Sequence, residues 1–146
     1  MSDTEKFAYD EAEYKTRVLA QALSYAAKGW HVVPMYTIGA DGKCTCGTSC
    51  GKDAGKHTWL KWRKAATNDP AKIEKLFSLD GPPRNLAIVT GAVSGVTVID
   101  IDGVAGAATW QGLIEGHGEP VTLMAKTGSG GLHVLFKYNA APVVSG

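Results

Sequence analysis

The sequence predicts a protein of the α+β class, in which helices flank a mixed, partly antiparallel sheet. Two segments carry apolar residues at the spacing of a helix that is buried on one face. Five shorter segments are rich in β-branched residues, as strands are. The last two of these are joined by a short glycine-rich turn, which favours antiparallel pairing.

The first predicted helix covers residues 10–28 and is followed by a strand at residues 30–36. The apolar positions of the helix recur every four residues and are Tyr14, Val18, Ala22 and Ala26. Gly29 predicts the end of this helix, because glycine is favoured after a helix C-terminus. Pro34 lacks an N–H group and indicates that the strand lies at an edge or ends early.

Residues 37–58 predict a long loop, rich in glycine and poor in large apolar side chains. Its length is unusual for a simple connection and indicates a functional or metal-stapled segment. A second helix is expected within residues 66–77, with Asp69 as its N-cap and Pro70 in its first turn. Residues 80–85, DGPPRN, predict a turn.

The second half of the chain predicts four strands and one helix. Residues 85–91 and 96–102 are expected to form a hairpin or to be neighbours in one sheet. A short, glycine-weakened helix follows around residues 105–114. Two more strands, at residues 121–128 and 132–138, are joined by the turn TGSGG.

Length, composition and charge narrow the classes of protein to which this chain can belong. The 146 residues are the length of one domain, and 45% hydrophobic residues suffice for a core. A net charge of +1 gives no overall basic signature, so nucleic-acid binding would need locally concentrated charge. No apolar run approaches the roughly 18 residues of a membrane span, and the acidic N-terminus resembles no targeting peptide. We therefore expect a cytoplasmic protein without a membrane partner.

A cluster of metal-ligand residues lies in the long loop. It consists of Cys44, Cys46, Cys50 and His57. Three cysteines and one histidine are a standard structural zinc set, and an odd number of clustered cysteines argues against disulfides. Four protein ligands predict a closed, structural zinc site within residues 41–59. The alternative is three free thiols in a flexible loop.

The same region carries concentrated positive charge. Between residues 41 and 64 there are six Lys or Arg against two acids, about +4, with Trp59 and Trp62 interleaved. Cations beside aromatic faces suit single-stranded nucleic acid. The candidate DNA contacts are Lys56, Lys61, Arg63 and Lys64. The alternative is a solvated edge with two packed tryptophans.

Two aspartates end the strand VTVIDID. Asp100 and Asp102 are two positions apart, so in a strand they face the same way, roughly 6.6 Å apart. Paired carboxylates can share a divalent cation such as Mg²⁺ or Mn²⁺. The alternative is a pair of solvated acids at the end of a strand.

The segment TGSGGLHVLF suggests a phosphate site. Its glycines allow the backbone to approach a ligand closely, and their N–H groups can surround an anion. The candidate nucleotide contacts are Lys126, Ser129, Gly130, Gly131 and His133. The alternative is a simple hairpin turn with a satisfied histidine.

These motifs occur together in one order: A-x-x-YAAKGWHVVP, the Cys-x-Cys-x3-Cys loop, ATNDP, the D-x-D strand and T-G-S-G-G-x-H-x-x-F. In this order the chain resembles the bifunctional primase–polymerase (prim-pol) domain of phage and plasmid replication proteins, within the archaeo-eukaryotic primase superfamily. The resemblance covers about residues 19–138.

The resemblance implies an RNA-recognition-like catalytic core with an N-terminal α/β module. It implies template-directed nucleotidyl transfer with Mg²⁺ or Mn²⁺ on Asp100 and Asp102, and a small-x-His motif, Gly131-Leu132-His133, that contacts the nucleotide. His133 and the two acids are thus the expected catalytic residues, and the zinc-binding stem corresponds to residues 41–59. The implied partners are a single-stranded DNA template, NTP or dNTP, and a helicase domain in the intact protein.

The family also carries a third acid on a later strand, whereas this chain has no Asp or Glu after Glu119. We therefore expect residues 1–146 to be a prim-pol catalytic domain truncated at its C-terminus. Two alternatives to the polymerase stay open. One is a catalytically incomplete, zinc-stabilised module that binds single-stranded nucleic acid, and the other is a metal-dependent phosphohydrolase.

Overall fold

The computed structural model describes residues 10–141, and the chain divides into two compact units, Met1–Val89 and Thr90–Gly146. Both units combine helices with an antiparallel sheet, which confirms the predicted α+β class. The sheet itself differs from the prediction. Within residues 10–141, two separate antiparallel sheets of two and three strands take the place of a single mixed one.

The first element among the described residues of the first unit is helix α1, Glu11–Ala27. The Asp10 side chain caps it by accepting a hydrogen bond of 3.0 Å from the Glu13 N–H. Gly29 has a φ of 85°, a left-handed conformation that glycine adopts without strain, and its N–H donates to the Ala26 carbonyl. Both predicted ends of the helix are therefore confirmed to within one residue.

The sheet of the first unit pairs β1, Val32–Met35, with β2, Asn85–Ile88. Pro34 lies opposite Leu86 in a two-stranded sheet, in which both strands are edge strands, as the proline predicts. The core of this unit packs α1 against β1 and the second predicted helix. Its buried residues are Ala22, Ala26, Val32, Ile73 and Phe77.

Two short helices follow β1. Helix α2, Trp62–Ala65, is a single turn that periodicity did not predict, since four residues are too few to show a repeat. Helix α3, Pro70–Leu76, begins as predicted, because the Asp69 carboxylate accepts a 2.9 Å hydrogen bond from the Ala71 N–H.

The predicted pairing of residues 85–91 with 96–102 is wrong. The strand β2 pairs with β1, whereas residues 96–101 belong to the other sheet. A single bridge joins Gly91 to Val96, closed by a hydrogen bond of 2.7 Å from the Gly91 N–H to the Val96 carbonyl. Gly91 has a φ of 89°, so the backbone turns away after this one bridge and no ladder extends from it.

The second unit contains β3 (Val96–Ile101), α4 (Gly103–His117), β4 (Met124–Lys126) and β5 (Leu132–Lys137). Its strand order is β3-β5-β4. The chain leaves β3, passes through α4 and enters the sheet again as β4 at the opposite edge, and β5 then lies between β3 and β4. This is a split β-α-β arrangement, as in ferredoxin-like folds. The two strands around the TGSGG turn pair in antiparallel fashion, as predicted.

The two faces of this sheet differ. Ile101 and Val134 are buried on one face, and α4 packs there, with Gly106 close to the Ile101 side chain. The opposite face presents Asp100 and His133, which lie directly across from each other on β3 and β5. A strand alternates its side chains between faces, so Asp100 and His133 lie on the face opposite α4, and both side chains are exposed there. Among the described residues, no helix is long and apolar enough to cross a membrane.

Candidate functional site

The long loop of the first unit brings its three cysteines and its histidine together. The ligand atoms of Cys44, Cys46, Cys50 and His57 all lie within 4.8 Å of one another. The closest pairs are Cys46 Sγ to Cys50 Sγ at 3.1 Å and Cys50 Sγ to His57 Nε2 at 3.3 Å. A tetrahedral zinc with Zn–S bonds of about 2.3 Å separates its ligand atoms by about 3.8 Å. The donor set is one that zinc binds, and the separations of the ligand atoms, from 3.1 Å to at most 4.8 Å, include this distance.

The backbone around this cluster supports it. A bridge pairs Ile38 with Cys44, and the buried N–H of Gly55 points at Cys44 Sγ over 3.4 Å. A side chain at Gly55 would contact Ile38 at 3.2 Å, and its φ of 70° also favours glycine. The amide of Asn85 on β2 donates to the Gly55 carbonyl at 3.0 Å. The loop is thus attached to the sheet of the first unit.

Hydrogen bonds separate the pKa values of two thiols in the cluster. The pKa of Cys46 is lowered to about 6, first by the Thr48 hydroxyl and then by Cys50. Thr48 also lowers the pKa of Cys50, but the bond to Cys46 and desolvation outweigh it, so that pKa is raised overall. One thiolate is therefore favoured near neutral pH, and thiolate is the form that binds a metal.

The sequence-predicted DNA contacts Lys56, Lys61, Arg63 and Lys64 are all exposed in the first unit. Beside the cluster, the His57 ring lies 4.9 Å from the Tyr36 ring, and Tyr36 lies 5.2 Å from the Trp59 ring. The guanidinium of Arg84 sits 3.9 Å from the centre of the Trp59 ring. Sequence reasoning missed Arg84, because its place in the turn DGPPRN gives no sign of a contact with Trp59.

The second unit carries the predicted carboxylates and histidine. His133 Nε2 lies 3.4 Å from Asp100 Oδ1, and their side chains are 44% and 67% exposed. Asp102 follows directly after β3, remains extended, and projects on the same face as Asp100. The structure therefore places all three predicted catalytic residues on one accessible face of the sheet.

The side chains of Asp100, Asp102 and His133 lie further apart than the ligand atoms of the Cys3His cluster. Within residues 10–141, only the Cys3His cluster gathers three or more Cys, His, Asp or Glu ligand atoms. Two exposed carboxylates still suit Mg²⁺ or Mn²⁺, since Mg²⁺ is commonly held by one or two carboxylates together with substrate phosphates. The carboxylate oxygens of Asp100 and Asp102 are donors of the type that such an ion binds.

The glycine-rich turn next to this face is organised by Thr127. Its hydroxyl accepts a 2.9 Å hydrogen bond from the Gly131 N–H, and its carbonyl accepts from the Gly130 N–H. Among the described residues, the N–H groups of Gly128 and Ser129 have no protein acceptor, so they are available to an anion. Sequence reasoning missed Thr127, although a threonine at a turn commonly bonds the local backbone.

Gly131 lies against the end of β3. A Cβ atom there would stand 2.7 Å from the Ile101 carbonyl oxygen and 3.4 Å from Asp102 Oδ1. The glycine therefore allows the turn to approach the aspartate. Lys126 is not brought to this site, because it pairs with Leu132 and so projects on the opposite face from His133.

The fold and the two clusters define a class of protein. It is an α+β protein with a Cys3His cluster that could hold zinc in one unit and a split β-α-β sheet with exposed carboxylates in the other. Residues 22–145 match the family described as bifunctional DNA primase/polymerase, N-terminal, and the chain belongs to this family. The resemblance seen in the sequence is confirmed.

Membership in this family implies nucleotidyl transfer in general, with DNA and nucleotides as substrates. No curated protein and no solved structure matches the chain.

Proposed function

We propose that this chain catalyses template-directed nucleotidyl transfer, as a DNA primase and polymerase in phage or plasmid replication. The observation that carries the proposal is the pairing of Asp100 with His133 on neighbouring strands, 3.4 Å apart, on the face that α4 leaves open. The glycine-rich turn adjoins the same strand ends, so carboxylates for a metal and donors for phosphate lie beside one another.

Phosphoryl transfer requires mainly positioning and charge stabilisation, and each group has a role in that. Asp100 and Asp102 would hold Mg²⁺ or Mn²⁺, which when bound activates a 3′-hydroxyl and neutralises triphosphate charge. His133, exposed beside Asp100, would donate a hydrogen bond to a phosphate oxygen. The N–H groups of Gly128 and Ser129 would donate to another phosphate oxygen.

Further proposals concern the rest of the chain. The four exposed cations named above would contact a single-stranded DNA template. The cysteine–histidine cluster would bind a structural zinc, and residues 1–146 would act as one prim-pol catalytic domain with the zinc-binding stem at residues 41–59. The family resemblance supports a helicase as a partner in replication.

A second candidate is a zinc-stabilised module that binds single-stranded nucleic acid without catalysis. One observation favours it: Asp102 Oδ1 already accepts a 3.1 Å hydrogen bond from the Gly103 N–H at the start of α4. An aspartate at a helix N-cap has a structural reason to be present even where no metal binds.

Primer extension with Mn²⁺ on a single-stranded template separates the candidates. We expect the wild-type chain and Asp80→Asn, which changes an exposed acid in the first unit, to incorporate nucleotides. Asp100→Asn should abolish incorporation, because it removes a metal-binding charge. Retained DNA binding without incorporation by the wild type would favour the binding module. Template-independent release of phosphate or nucleoside monophosphate would favour a phosphohydrolase.

A further inference from the structure

Three side chains of the first unit form what we call the arginine platform: Tyr36, Trp59 and Arg84. The Arg84 guanidinium lies 3.9 Å from the centre of the Trp59 ring and 5.6 Å from that of Tyr36. Trp59 nevertheless remains 43% exposed. A large flat ring and a planar cation are thus presented together at the protein surface.

Arg84 has aromatic contacts but no anionic partner. Among residues 10–141, its guanidinium forms no ion pair and no hydrogen bond. Desolvation lowers its pKa, an effect that the nearby Tyr36 partly opposes. A partly desolvated cation without a paired charge is costly, and an anionic ligand would offset that cost.

The platform is held in place from two sides. The Tyr36 N–H donates to the His57 carbonyl at 2.9 Å, and the rings of these two residues lie 4.9 Å apart. Asn85, the residue after Arg84, donates to the Gly55 carbonyl and also receives a hydrogen bond from the Tyr14 hydroxyl. A surface fixed before binding loses less entropy when its ligand arrives.

A second exposed ring follows within three residues. Trp62 is also 43% exposed, and the Arg63 guanidinium lies 4.9 Å from its centre. No acid occurs between Asp53 and Asp69, so this stretch is entirely cationic in its charged groups. Unpaired bases offer flat faces and phosphates offer negative charge, whereas a duplex hides the faces of its bases.

We propose that the arginine platform and Trp62 bind single-stranded DNA, with Trp59 and Trp62 stacking on bases and Arg84 contacting a phosphate. This assigns a base-stacking role to two tryptophans and a template contact to Arg84. This inference rests on the proposed function only for the identity of the nucleic acid as DNA.

The first test measures binding of a fluorescein-labelled oligothymidylate by anisotropy. Trp59→Ala should weaken binding about tenfold, since one stacked base is lost. Trp110→Ala, which removes a partly exposed indole from α4 in the second unit, should leave the affinity unchanged. Stacking should also quench tryptophan fluorescence on addition of unlabelled oligothymidylate, and Trp59→Phe should reduce that quenching.

The second test concerns charge. Arg84→Ala should weaken binding and make the dependence of log K on log salt less steep by about 0.7, the share of one phosphate. Arg84→Lys keeps the charge but loses the planar face, so it should bind with intermediate affinity. Arg17→Ala changes an exposed arginine on α1 and is the matched control. Zinc content is measured in every variant. If Trp59→Ala has lost its zinc, its weaker binding could reflect a disturbed loop, and the affinity of Arg84→Lys then decides whether the platform binds DNA.

Wild-type affinity in both the Trp59 and Arg84 variants, or equal wild-type affinity for single strands and duplex, would overturn the proposal. The outcome is independent of catalysis. If the wild type fails to extend a primer while these variants still weaken binding, the platform stands and the polymerase function fails. If the wild type extends a primer and the variants bind DNA with wild-type affinity, the polymerase function stands and the platform proposal fails.

Discussion

At the scale of single residues, Asp102 has two possible reasons to be an acid. It caps the first N–H of α4, and it projects beside Asp100 on the open face of the sheet. The cap uses one carboxylate oxygen and leaves lone pairs for an ion. Sequence spacing predicted the shared face. The capping role depends on where α4 begins, and it begins at Gly103, two residues before the start that the sequence predicted.

Substitution can separate these two roles. Asp102→Asn keeps a good N-cap, so we expect its free energy of unfolding to stay within about 0.5 kcal/mol of wild type. Its primer extension should nevertheless fall by at least about tenfold, because a metal-binding charge is lost. Asp102→Ala should lose activity and also about 1 kcal/mol of stability. Urea unfolding and primer extension measure the two effects, and full activity in Asp102→Asn would assign the residue to structure alone.

Gly131 offers a steric test of the turn. An alanine there would place its Cβ 2.7 Å from the Ile101 carbonyl oxygen, so the turn must shift, which we expect to cost about 1–3 kcal/mol. Gly128→Ala, with nothing within 4 Å of its Cβ, is the matched control and should change stability little. Urea unfolding of both variants provides the measurement. Equal stabilities would show that the turn does not pack against the end of β3 as described.

At the scale of elements, the loop between β1 and α2 has almost no regular structure of its own. One bridge, one short 3₁₀ turn at Gly51–Asp53 and the four clustered ligands organise it. The residue types and their close spacing were sufficient to predict that these four side chains cluster, because all four lie within one short segment. The attachment through Asn85 was not predictable, since that residue lies 30 positions from Gly55.

Zinc removal tests this dependence. The purified wild-type chain should contain about one zinc per molecule, and Cys50→Ser should contain none, because three ligands hold structural zinc poorly. The melting temperature should fall with it, since zinc-binding free energy contributes to folding. Ser49→Ala, a substitution at the neighbouring residue, should keep both the zinc content and the melting temperature of the wild type. Elemental analysis and thermal unfolding measure these quantities, and unchanged zinc in Cys50→Ser would exclude that cysteine as a ligand.

At the scale of the whole molecule, the two candidate metal sites belong to different compact units. The cysteine–histidine cluster lies within Met1–Val89, and the two aspartates lie within Thr90–Gly146. Their donors also differ, since sulfur and imidazole suit zinc whereas carboxylates suit Mg²⁺ or Mn²⁺. The sites are therefore expected to be chemically independent.

Loss of one site should not empty the other. We expect Asp100→Ala to abolish nucleotide incorporation while zinc content stays at the wild-type level, as elemental analysis would show. Asp80→Ala, in the first unit, is the control for loss of an exposed acid. If Asp100→Ala also lost its zinc, the division into two metal sites would be wrong.

The sequence by itself determined the class of fold, the order of most elements and the cluster of three cysteines and one histidine. These features are encoded locally, in hydrophobic periodicity, helix caps such as Asp69, and ligands within a few residues of one another. Only the tertiary structure decided that β2 pairs with β1 and not with β3, that Lys126 faces away from His133, and that Arg84 stacks on Trp59. Strand partners and contacts between distant residues depend on competition among many segments for the same sheet edges and surfaces, which no single segment records.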